Sequence, residues 1–171
     1  EEARLIYQGV SHFLPQSDER RLVIDIGGRS TEFVLGKHFD TLKTESLRVG
    51  SVSWSLKYFP DGELTEKSLS RAEVAAASFL DVVTRPYAAQ YWDMAYGASG
   101  TVGAVGDVLA LAGFPEGVIT QDGLDWLRKE LVKAKQASRL KLDGLKEERN
   151  AVIGGGLSIL RAVFQILKIE K

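Results

Sequence analysis

The stretch Leu22-Val23-Ile24-Asp25-Ile26-Gly27-Gly28-Arg29-Ser30-Thr31-Glu32 constrains the fold of this chain more than any other. An apolar run this short, broken by one acid and closed by two glycines, reads as a buried strand rather than a helix. A carboxylate therefore stands at the end of a buried strand, with a glycine turn behind it. Hydroxyls and a second acid open the next strand. Such a turn can present backbone N–H groups to an anion, because glycine accepts φ > 0 and lets the main chain approach closely. Asp25 is costly to bury unless it meets a hydrogen-bond donor or a cation. The competing reading is a plain glycine hairpin in which Asp25 caps the turn.

Further strands follow from the β-branched runs Thr31 to Gly36 and Thr41 to Val49, separated by the polar turn Lys37-His38-Phe39-Asp40. Upstream, Leu5, Ile6, Gly9 and Val10 have helical spacing. Downstream, Ser51 can cap a short helix that ends at Pro60-Asp61-Gly62. A longer helix opens at Thr65 and carries Leu69, Ala72, Ala76, Phe79 and Val83 on its core face until Arg85-Pro86. Trp92 to Tyr96 reads as a strand, Gly97 to Thr101 as a turn and Val102 to Ala112 as a small-residue helix. The helices Gln121 to Ala137 and Leu145 to Leu167 complete the chain, the second interrupted by Gly154-Gly155-Gly156. Three glycines there cost ~1 kcal/mol each relative to alanine, so close helix packing is the favoured explanation. The order predicts an α/β domain, a three-stranded meander continued by a further strand, with helices packed on one sheet.

At 171 residues the chain has the size of one domain. A formal net charge of -1 excludes wholesale electrostatic attraction to nucleic acid, so any phosphate must be gripped locally. The absence of cysteine removes thiolate chemistry and disulfides. No apolar run reaches the ~18 residues of a membrane span, and Glu1-Glu2-Ala3-Arg4 is no signal sequence, so a cytoplasmic location is expected. The missing initiator Met and the abrupt ends suggest a piece of a longer protein.

Gly97-Ala98-Ser99-Gly100-Thr101 lies between a strand and a helix, where N–H groups and the helix dipole favour an anion. The alternative is that these small residues only permit close strand-to-helix packing. Glu2 and Glu32 are the candidate general acid/base or water-orienting carboxylates, since hydrolysis of a phosphoanhydride at such a site asks for a positioned water and neutralised phosphate charge rather than a covalent nucleophile. By position alone Glu2 is a solvated acid at a helix start. His12 and His38 lack ligand spacing and read as surface residues, while Trp54, Trp92 and Trp126 read as core or lobe-contact residues.

These blocks, with Arg48-Val49-Gly50-Ser51-Val52-Ser53, Tyr58-Phe59-Pro60 and Gly154 to Leu157, resemble the exopolyphosphatase and guanosine-pentaphosphate phosphohydrolase enzymes of the actin-like superfamily. The resemblance covers nearly the whole chain. It implies an actin-like (ribonuclease H-like) lobe, residues 1–171 forming the second of two lobes, with the first lobe outside this chain. It implies Glu2 and Glu32 as catalytic residues and Asp25 as a magnesium-associated acid. Candidate phosphate contacts are Gly27, Gly28, Arg29 and Ser30 in the first turn and Gly97, Ser99, Gly100 and Thr101 in the second. Arg29 stands where the family commonly has glycine. If that position needs φ > 0, Arg29 costs on the order of 1 kcal/mol, while its guanidinium offers a bidentate phosphate contact.

By this resemblance the full-length protein releases orthophosphate from polyphosphate or guanosine pentaphosphate with Mg2+ as cofactor, as a homodimer, and the isolated lobe is inactive. Two other readings stand beside it: an actin-like ATP-binding ATPase or kinase lobe, which needs an open slot near Gly97 to Thr101, and a module that binds these phosphates without cleaving them.

Overall fold

The computed structural model describes residues 1–171. Helix α1 (Glu2–Phe13) leads into β1 (Arg20–Ile26), β2 (Thr31–Lys37) and β3 (Asp40–Leu47). Helices α2 (Ser51–Tyr58) and α3 (Glu66–Leu80) follow, then β4 (Met94–Ala98), α4 (Ser99–Leu111), α5 (Gln121–Ala134) and α6 (Ile153–Leu167). The sheet order is β3-β2-β1-β4, with the meander antiparallel and β4 parallel to β1. The expected meander and its further strand are thus present.

Alternation along the strands divides the sheet's two faces. Leu22, Ile24 and Ile26 of β1, with Phe33 and Leu35 of β2, enter the main core of 33 buried residues beneath α2 to α6. Val23 and Val34 face the other way and pack with Ala3 and Tyr7 of α1. Both faces of β1 and β2 are therefore covered, which is why β1 reads as a nearly continuous apolar run. Edge strand β3 is mostly exposed and carries Lys43 and Glu45, which discourage pairing with another chain.

Several boundaries differ from expectation. Gly50, not Ser51, occupies the cap position of α2, and the Ser53 hydroxyl accepts its N–H at 3.2 Å. No loop separates β4 from α4: Gly97 and Ala98 end the strand and Ser99 begins the helix. On α3, Phe79 is 48% exposed, its ring resting edge-on against Trp54. Trp54 is buried and donates to the Ala72 carbonyl, while Trp126 packs at a tilt against Phe114, so these indoles serve the core. His12 rests on Phe39 and exposed His38 lies 3.2 Å from Asp18.

Gly154, Gly155 and Gly156 form the first turn of α6 rather than a break within it. A Cβ at Gly155 would lie 2.5 Å from the Ser51 carbonyl oxygen, and one at Gly156 equally close to Thr101 Cγ2. The Ser55 hydroxyl accepts the Gly155 N–H at 3.0 Å. The run thus lets α6 seat on α2 and α4, as the packing explanation requires. Across the same layer, Glu73 of α3 meets Arg128 of α5 at 2.7 Å and Arg161 of α6 at 3.2 Å.

Candidate active site

Strands β1 and β4 run parallel, so their carboxyl ends open side by side, where ligands of open α/β sheets bind. The turn from Gly27 to Ser30 leaves β1, and α4 begins where β4 stops. Ser99 joins them: its hydroxyl donates to the Ile26 carbonyl at 2.9 Å, and its φ of 89° is a left-handed conformation rare for serine.

The first turn is held from behind by α2. The N–H groups of Ser51, Val52 and Ser53 donate to the carbonyls of Gly27 and Gly28 at 2.9 to 3.1 Å. A side chain at Gly50 would overlap the Gly28 carbonyl, so glycine is required where α2 meets the turn. The N-terminus of α2 is thereby spent on the turn itself. Gly27 donates to the Ser30 carbonyl, and the N–H groups of Gly28, Arg29 and Ser30 have no partner within the chain. Arg29 has no positive φ, so the strain considered for this position does not arise. Neither Gly27 nor Gly28 has positive φ; their service to the turn is close approach.

In the sheet register Asp25 is opposite Glu32, and Glu32 is opposite Ser46 of β3. The three form a row across the face that carries α1, one step beyond the Val23–Val34 pair. Glu32 is 3% exposed, and its Oε1 accepts from the Ser30 hydroxyl at 2.7 Å and the Ser46 hydroxyl at 2.8 Å. Asp25 is half-buried, with no hydrogen bond or ion pair in the chain. Burial pushes its carboxyl above the usual range, and the charges of Glu32 and Glu2 add to the effect. Exposed Glu2 opens α1 within electrostatic reach of Asp25. The structure thus gathers Asp25, Glu32 and Glu2 with no paired cation.

The second turn divides differently. A Cβ at Gly97 would overlap Val102, so this glycine serves strand-to-helix packing. Thr101 is 6% exposed and lies against Gly156. Ser99 and exposed Gly100 remain at the sheet's open end. One residue missed in the sequence is Arg149, whose guanidinium lies over Gly100 in the uncapped first turn of α4 and has no carboxylate partner. Arg149 stands far from Gly100 along the chain and outside any glycine motif, so no local signal marks it.

No three His, Cys, Asp or Glu side chains form a ready-made metal cage. The donors are nevertheless of the oxygen type that suits Mg2+, which binds through one or two carboxylates, water and phosphate oxygens. Asp25, half-buried and unpaired, is the carboxylate a cation would relieve most. Away from this group, a groove of about 820 Å3 follows the free edge of β4, lined by Ile24, Tyr96, Val102, Leu160, Phe164 and Ile169 among others. None of Glu2, Asp25 or Glu32 lines it.

The model of the Ppx/GppA phosphatase family matches residues 1–171. The chain belongs to the Ppx/GppA phosphatase family. It is similar to the guanosine-5'-triphosphate,3'-diphosphate pyrophosphatase of Photobacterium profundum, 41% identical over 170 residues, covering 99% of this chain and 34% of that protein. The protein of the same name from Pseudoalteromonas translucida is 39% identical over the same span. The chain spans about a third of the length of these curated relatives. Among solved structures, the Ppx/GppA phosphatase of Aquifex aeolicus superposes with a TM-score of 0.80 at 23% identity, over 99% of this chain and 57% of its own. An exopolyphosphatase from Cytophaga hutchinsonii gives 0.79 at 22%, over 99% and 57%. The α/β fold of this Ppx/GppA chain is therefore the fold of those phosphatases, and the actin-like expectation stands.

Proposed function

We propose that the full-length protein bearing this lobe hydrolyses a terminal phosphoanhydride bond, releasing orthophosphate. The observation that carries this reading is the juxtaposition of unpaired Asp25 and serine-anchored Glu32 with a turn whose Gly28, Arg29 and Ser30 N–H groups are free. The N–H groups and the Arg29 and Arg149 guanidiniums suit phosphate oxygens; the carboxylates suit a water and a cation. Glu32 or Glu2 would orient the attacking water, and the turn would hold the reacting phosphate in line with it. Asp25 would hold Mg2+, which supplies neutralisation of phosphate charge. The remaining lobe of the cleft would come from sequence outside these 171 residues, so the isolated lobe should release little or no orthophosphate.

The names of relatives at 39–41% identity favour guanosine pentaphosphate as substrate. Polyphosphate is the second candidate, suggested by the family. The reading also includes a homodimer and a cytoplasmic location. No helix is long and apolar enough to cross a membrane. The test is orthophosphate release by the full-length protein from each substrate with Mg2+, beside Glu2→Gln. Release that the substitution abolishes supports the assignment of Glu2, while unchanged turnover removes Glu2 from the mechanism.

A second reading, an ATP-binding ATPase or kinase lobe, has one observation in its favour: the apolar groove reaches Gly97 and Val102. It extends down β4 to Met94, away from the strand's carboxyl end. Tight ATP binding without orthophosphate release from either phosphate substrate would support it.

A further inference from the structure

Glu32 is held unsymmetrically. Two hydroxyls reach it, and both reach the same oxygen: Ser30 at 2.7 Å from two residues upstream, and Ser46 at 2.8 Å from the neighbouring strand. A carboxylate can only accept, so both hydroxyl protons are committed to Oε1. Oε2 receives no hydrogen bond from the chain. With one oxygen held by two hydroxyls and the residue 3% exposed, the carboxylate is restrained and one oxygen is left over.

We propose that Ser46 is a positioning residue for the hydrolysis: together with Ser30 it pins Glu32 Oε1, and so presents Oε2 as the oxygen that orients water. The inference rests on the reading of Glu32 given above. Ser46 makes no step of its own and touches neither phosphate nor cation. Its place follows from register, because Glu32 and Ser46 are directly opposed across β2 and β3. A one-residue slip of β3 would turn Ser46 to the other face. The bulge between Leu35 and Gly36 lies between this pair and the hairpin at His38, so the register at Ser46 is one residue out of step with that at the turn. Ser46 is exposed and lies on an edge strand, so no packing demand accounts for a hydroxyl there. Ser30 alone would leave Glu32 held by a single contact from the glycine turn; Ser46 supplies a second from regular sheet.

The test uses the full-length protein with Mg2+ and guanosine pentaphosphate, and compares Ser46→Ala, Ser46→Thr, Glu32→Gln and the double substitution Ser46→Ala/Glu32→Gln. Loss of one hydrogen bond to a charged group predicts that Ser46→Ala lowers kcat about tenfold, with KM within about twofold because Ser46 does not contact substrate. Ser46→Thr keeps the hydroxyl and restores most of the rate. Because Ser46 acts only through Glu32, adding Ser46→Ala to Glu32→Gln should cost nothing further. An unchanged kcat in Ser46→Ala beside an impaired Glu32→Gln overturns the role of Ser46 and leaves that of Glu32 standing. A raised KM with unchanged kcat, or additive losses in the double substitution, also overturns it. Wild-type turnover in Glu32→Gln overturns the reading of Glu32 and that of Ser46 with it.

Discussion

Asp25 and Glu32 show how a sheet concentrates charge at its end. Their opposition in register places two carboxylates on one face, and the covering of β1 and β2 on both sides removes most of the water that would screen them. Asp25 consequently binds its proton more tightly when folded than when unfolded. Between the ordinary carboxylate pKa and the raised one, the folded chain holds a proton the unfolded chain has lost, so stability falls as pH rises through that window. Asp25→Asn removes this cost. In Mg2+-free buffer at pH 7 it should raise the Tm of this chain. At a pH below the ordinary carboxylate range, where the wild-type group is protonated in both states, the gain should vanish. Thermal unfolding at the two values checks it; an equal or lower Tm at pH 7 would mean that Asp25 is already compensated.

At the scale of elements, the glycine turn of α6 governs how three helices meet. Gly155 lies where a Cβ would run into α2, and its N–H is committed to Ser55. Gly155→Ala should therefore force α6 from α2 and destabilise the chain by about 1–3 kcal/mol, read as a lowered denaturant midpoint with unchanged slope. The ion pairs of Glu73 with Arg128 and Arg161 would persist, since they join α3 to α5 and α6 on another side. The strands were legible in the sequence because β-branched runs and glycine breaks report local geometry directly: Leu22 to Ile26 and Thr31 to Gly36 lie within β1 and β2. The junction at Gly97 was not, because a glycine needed for φ > 0 and one needed to clear Val102 look alike in sequence. Phe79 was placed in the core by its helical spacing, yet the face of α3 that meets α6 is narrow and leaves the ring half outside against Trp54. In the site, Asp25 and Glu32 announced themselves by their place in a motif, whereas Arg149 and Ser46 depend on a helix crossing and a strand register that only the folded chain displays.

On the scale of the whole molecule, the chain brings a buried carboxylate, Glu32, a half-buried one, Asp25, and a prepared turn together at one end of a sheet. The chain spans about a third of the length of its curated relatives, and the cleft proposed above takes its other wall from outside these residues. In the proposed hydrolysis Glu32, pinned by Ser30 and Ser46, orients the attacking water. The most direct test of that role is orthophosphate release from guanosine pentaphosphate by the full-length protein with Mg2+, wild type against Glu32→Gln, under conditions where both are folded. A loss of about a hundredfold or more in kcat is expected for Glu32→Gln, the scale of a lost general base. Turnover in Glu32→Gln equal to that of the wild type would contradict it.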